Sequence, residues 1–166
     1  DVAIERDEEV DRLYFLLVRL IRSNILNTKL SIKFGFHSID YLDYRVAANI
    51  LENIGDNSVK LATTVKELRK MTLTSQLKKL LHDFVIELNN IQDLSINLFV
   101  LKKISDRNNV ISNYNKLNQK LYNIENIMLN EKNADIRSAW TLLTILDKIL
   151  KSMKDITDLA MPIKIK

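Results

Sequence analysis

Apolar residues recur three and four positions apart through most of this 166-residue chain, the spacing that lines one face of an α-helix. Val10, Leu13, Tyr14, Leu17, Leu20 and Ile21 predict a helix over about 8–27. Asp7, Glu8 and Glu9 then fall in or near its first turn, where the macrodipole favours negative charge. Val46, Ile50, Ile54, Leu61 and Val65 predict a second helix over about 40–71, with Asp40 or Asp43 as N-cap. A near-heptad stripe of Leu77, Leu81, Phe84, Leu88, Ile91, Leu94 and Leu98 predicts a third over about 75–105, capped by Ser75. Val110, Tyr114, Leu117, Leu121, Ile124 and Met128 predict a fourth over about 109–129. The last, over about 134–160, turns Ile136, Trp140, Leu143, Leu146, Leu150, Met153 and Ile156 to the core, with Asp135 as cap and Pro162 as stop.

One segment breaks the helical period. Over 28–38, Leu30, Ile32, Phe34 and Phe36 alternate with polar or small residues, the period of a strand. No other segment offers a partner strand, and a lone strand is unstable. The expectation is an extended connection lying on the bundle, or an edge that pairs between subunits.

Composition agrees with few, long elements. The chain has only 2 glycines and 1 proline, so it carries little turn chemistry. Hydrophobic content of 46% suffices for a packed interior, and 28% charged residues fit a soluble globular protein. The absence of cysteine excludes disulfides and thiolate metal sites. No apolar run approaches the roughly 20 residues that span a bilayer, and the acidic N-terminus is unlike a signal peptide, so a cytoplasmic location is expected. A net charge of +4 is mild and reads as solvated lysine faces rather than a nucleic-acid footprint.

Two acidic pairs stand out. Asp7 and Asp11, and Glu52 and Asp56, are each spaced i, i+4 on one helical face. Like charges at that spacing cost a few tenths of a kcal/mol. Gly55, between the second pair, costs a helix about 1 kcal/mol relative to Ala. A bound cation would remove the repulsion; close approach of a neighbouring helix would explain the glycine. Sites made only of carboxylates suit Mg²⁺, Mn²⁺, Ca²⁺ or iron better than zinc. His37 and His82 have no partner at metal spacing and read as surface residues. The chain contains no G-x-S-x-G, Walker or G-x-G-x-x-G sequence, so no enzymatic activity is expected.

The phrase Leu51-Glu52-Asn53-Ile54-Gly55-Asp56, followed by Leu61-Ala62, together with Asp7-Glu8-Glu9-Val10-Asp11-Arg12-Leu13 and Asp43-Tyr44-Arg45, resembles the PhoU family of phosphate-uptake regulators. Asn53 stands where that signature usually has Arg. The match covers about residues 5–20 and 42–62. The resemblance implies an all-α fold of tandem three-helix bundles, residues 1–73 and 74–166, with the first helix of the first bundle largely absent. It implies Asp7, Asp11, Glu52 and Asp56 as ligands of a multinuclear metal cluster of iron, manganese, magnesium or zinc, with Glu8 a possible addition. Asn108, Ser112 and Lys151 stand where the second unit would carry acids, and only Asp147 remains, so one cluster at most is expected, in the N-terminal unit. It further implies a non-catalytic regulator of phosphate homeostasis. Its partners would be the ATPase subunit of a phosphate ABC transporter or a sensor kinase, and it would commonly form a homodimer. Any membrane contact would be indirect, through the transporter. Two other readings stand beside it: a metal-free helical interaction module, and the helical part of a DNA-associated regulator whose DNA-binding domain lies elsewhere, this stretch itself binding no nucleic acid.

Overall fold

The computed structural model describes residues 2–68, 73–130 and 136–160, and these fold into α-helices with no strand among them. The helices are α1 (Val2–Leu26), α2 (Thr28–Phe34), α3 (Ser38–Leu68), α4 (Ser75–Leu101), α5 (Arg107–Leu129) and α6 (Ile136–Leu159), with a 3₁₀ turn at Ile104–Asp106. None is long and apolar enough to cross a membrane. The chain forms two compact units, residues 1–59 and 60–166.

The expectation of an extended segment over 28–38 is overturned, because capping outweighs the apolar alternation. Asn27 is extended, and its side-chain oxygen accepts the N–H groups of Lys29 at 3.1 Å and Leu30 at 3.4 Å, satisfying two donors that a helix start leaves open. At the other end Gly35 adopts φ +66°, and its N–H bonds to the carbonyls of Ser31 and Ile32. That left-handed turn favours glycine. α2 lies between these two stops. The alternating residues do not mark a sheet face, and Ile32 is 81% exposed.

The helix starts also differ in detail from expectation. Asp40 does not cap α3. It is the third helical residue and reaches back to accept the His37 backbone N–H at 2.8 Å, the reciprocal half of a capping box. Asp43 lies inside the helix. Thr74, not Ser75, caps α4, its hydroxyl accepting the Leu77 N–H at 3.3 Å. Asp135 and Pro162 lie outside the described residues.

In the second unit each of α4, α5 and α6 packs on the other two. Their buried residues recur at seven-residue spacing: Leu77, Phe84, Ile91 and Leu98 on α4, Val110, Leu117 and Ile124 on α5, Ala139, Leu146 and Met153 on α6. This is the seam of a left-handed bundle, and full burial of each large side chain is worth about 1.5–3 kcal/mol. One polar pair interrupts it. The Thr157 hydroxyl lies 3.2 Å from that of Ser95, and it also donates to the Met153 carbonyl at 2.8 Å, all inside the core.

Trp140 is not core: it is 53% exposed. On α6 it aligns with Thr144, Asp147 and Lys151, at four, seven and eleven residues on, which is the polar stripe of the helix. The buried face is carried instead by Ala139, Leu142, Leu143 and Leu146. Val46 on the first unit's part of α3 and Val65 on the second unit's part are exposed too, although the apolar period had placed both inside.

Candidate functional site

Gly55 fixes how α1 and α3 meet in the first unit. A Cβ added there would fall 2.8 Å from Oδ1 of Asp7 and 3.5 Å from Cγ1 of Val10. The glycine is therefore a point of close helix approach, as its place in the helix suggested. Asp7 Oδ1 is buried at this contact. Glu52 lies three residues before Gly55 and Asp56 directly after it, so both sit within about 5 Å along the α3 axis of the point Asp7 reaches. Asp7, Asp11, Glu52 and Asp56 are all half-buried, and Asp7, Glu52 and Asp56 each engage a neighbouring group.

The structure thus brings Asp7 to the acidic stretch of α3. Among the described residues no three His, Asp or Glu side chains are grouped so as to hold a metal ion. A multinuclear cluster needs several carboxylates turned to a common centre.

Further along the same helix pair, Arg45 on α3 donates a hydrogen bond to the Tyr14 hydroxyl, and its guanidinium lies over the Tyr14 ring, 5.2 Å from the centroid. Hydrogen bond and cation–π contact together hold a charged group on an aromatic face. Phe36 stacks near Tyr41 and Tyr44, with ring centroids 5.7 and 5.5 Å away, and the Tyr41 hydroxyl lies 3.4 Å from that of Ser31 on α2. These contacts tie α2 and the segment after it to α3. Both histidines are exposed.

α1 presents a second face that the apolar period alone did not separate from the first. Val10, Tyr14, Leu17 and Ile21 turn inward, whereas Leu13, Leu16 and Leu20 are about half exposed. The two sets share the i, i+3, i+4 spacing and differ by roughly a quarter turn of the helix. Leu13 and Leu20 were expected in the core, and they form an exposed ridge instead. The available signal was the width of the apolar arc, broader than one helix neighbour can cover.

In the second unit Lys151 Nζ lies 2.7 Å from Oδ2 of Asp147. That hydrogen bond, with the carboxylate's charge, raises the lysine above its ordinary 10.5. The one acid left in that repeat position is therefore already paired with a cation. Comparisons with family models, with curated proteins and with solved structures give no match.

Proposed function

We propose that this chain is a non-catalytic helical regulator that acts by protein–protein contact, and that it belongs to the control of phosphate uptake. The observation that carries the first part is the exposed ridge of Leu13, Leu16 and Leu20 on a helix that buries only Ile21 and Asn24 along its 25 residues. A leucine seam left open to water at this density is the surface by which an amphipathic helix docks on a partner. The second part rests on the resemblance of Leu51–Asp56 to the PhoU signature. The partners it names are a phosphate transporter's ATPase subunit or a sensor kinase, and a second copy of the chain. In this reading Asp7 and Gly55 set the closeness of α1 and α3, which positions the ridge.

The test is phosphate accumulation in cells that lack the protein and are resupplied with either the natural chain or a Leu13→Ser/Leu16→Ser/Leu20→Ser variant. The natural chain is expected to restore regulated uptake and the variant to fail, while both keep the same far-ultraviolet circular dichroism. Uptake that is unchanged by loss of the protein removes the phosphate assignment and leaves a helical interaction module. Full rescue by the variant removes the ridge as the working surface.

A further inference from the structure

A shallow groove of about 250 Å³ runs between α5 and α6 in the second unit. Its floor is Leu121 and Leu143, both buried. One wall is Asn118, Tyr122 and Glu125 of α5, and the other is Trp140, Thr144 and Asp147 of α6. Each triplet is spaced i, i+4, i+7, so each lines one side of its helix.

The helices run antiparallel. Only six residues separate Leu129 from Ile136, a reach of about 20 Å, too short to return along a helix of this length. Glu125 therefore lies at the connection end of the groove, level with Trp140. Asp147 lies at the far end, level with Asn118. Seven residues at 1.5 Å each separate these ends by about 10 Å. Two exposed aromatics line the way from one carboxylate to the other, Trp140 at 53% exposure across from Glu125 and Tyr122 at 67% further in.

We infer that this groove binds an elongated organic polycation of the polyamine class. Carboxylates at the two ends match ammonium groups at the two ends of such a ligand. The methylene stem between them lies on Tyr122 and Trp140, whose π faces attract both the stem and its charge. The Asn118 amide and Thr144 hydroxyl supply acceptors for the remaining N–H groups. Lys151 lies 2.7 Å from Oδ2 of Asp147, so the ligand's ammonium shares that carboxylate with the lysine. An anion is repelled by the same two carboxylates. The volume lies just below the usual range for ligand pockets, which selects a small, narrow molecule.

Trp140 is the only tryptophan in the chain, so its fluorescence reports the groove alone. Spermidine titrated into the purified full chain is expected to give a saturable change in that emission, weakening as salt is added. Ethylenediamine, whose two-carbon spacer cannot bridge the two ends, is expected to bind at least about tenfold more weakly. A Glu125→Gln/Asp147→Asn variant, with unchanged helicity, is expected to lose at least about tenfold in affinity for spermidine. Trp140→Ala, followed by calorimetry, tests the aromatic contribution and is expected to weaken binding as well. No saturable change at millimolar spermidine overturns the inference. So does equal binding by the carboxylate variant, or a lysine-rich peptide that saturates the signal where spermidine does not.

Discussion

Replacing Gly55 by Ala tests whether the glycine is there for the approach of α1. The two effects have opposite sign. Inside a helix the change gains about 1 kcal/mol of propensity. Against this, the new methyl meets Oδ1 of Asp7 at 2.8 Å, so the carboxylate must swing away from a buried position. Forcing an extra methyl into an occupied contact costs about 1–3 kcal/mol in displaced side chains. Val10, at 3.5 Å, is in ordinary contact and adds little. The net expectation for Gly55→Ala is a loss between about 0 and 2 kcal/mol. In an Asp7→Ala background the obstacle is gone, and the same substitution is expected to stabilise by about 1 kcal/mol. Urea denaturation of the natural chain, both single variants and the double variant, followed by circular dichroism, closes the cycle with a coupling of about 1–3 kcal/mol. Equal effects of Gly55→Ala in the two backgrounds, within about 0.5 kcal/mol, would show that Asp7 is not what the glycine accommodates.

Four further outcomes are expected. Metal analysis of the purified protein tests the acidic pairs directly: stoichiometric divalent ion that disappears in a Glu52→Ala/Asp56→Ala variant is expected if those residues are ligands, and a metal-free protein would remove them as a site. Met153→Ala, at a fully buried position, should cost about 2–5 kcal/mol, whereas Trp140→Ala, at a half-exposed one, should cost about 1–2 kcal/mol, and a larger loss at Trp140 than at Met153 in thermal melts would contradict the exposed placement of the tryptophan. Asn27→Ala should weaken α2 by about 1 kcal/mol, read as faster hydrogen exchange at Leu30 and Ser31; unchanged exchange would mean the cap is idle. Lys151 is raised above 10.5 by Asp147, so the pair's contribution is fully present below that value and is lost as pH rises through the higher folded value. Being exposed, it is small. A Lys151→Met variant should therefore differ from the natural chain in pH dependence only in the alkaline range, and a difference centred near neutrality would refute the pairing.

The helices of the second unit were legible because their heptads are strict, and only one side of each helix is apolar enough to be core. Where the reading failed, a local interaction outweighed a pattern. The period-two run from Leu30 to Phe36 says strand, but Asn27 and Gly35 close hydrogen bonds at either end of a seven-residue helix, and those bonds decide. Trp140 was placed inside by its spacing between Ile136 and Leu143, although the residues four, seven and eleven positions on are all polar. On α1 the leucines form two faces, and periodicity measures the existence of a face rather than how much of it a neighbour covers. At the acidic stretch the spacing correctly pointed to a close approach at Gly55. It could not specify where the carboxylate oxygens point, because that depends on rotamers set by packing between helices distant in sequence.

The Ser95–Thr157 pair settles an ambiguity inherent in the bundle around it. A core built from residues repeating every seven positions looks nearly the same to itself after a shift of one repeat, so α6 could slide two turns along α4 and still bury leucine against leucine. Such a slip would set the Ser95 hydroxyl against Leu150, where it meets only hydrocarbon. Only one alignment lets two hydroxyls meet. The pair thus acts as an index mark on a repeating scale. Replacing both residues by alanine should leave the bundle folded while broadening the set of alignments it samples.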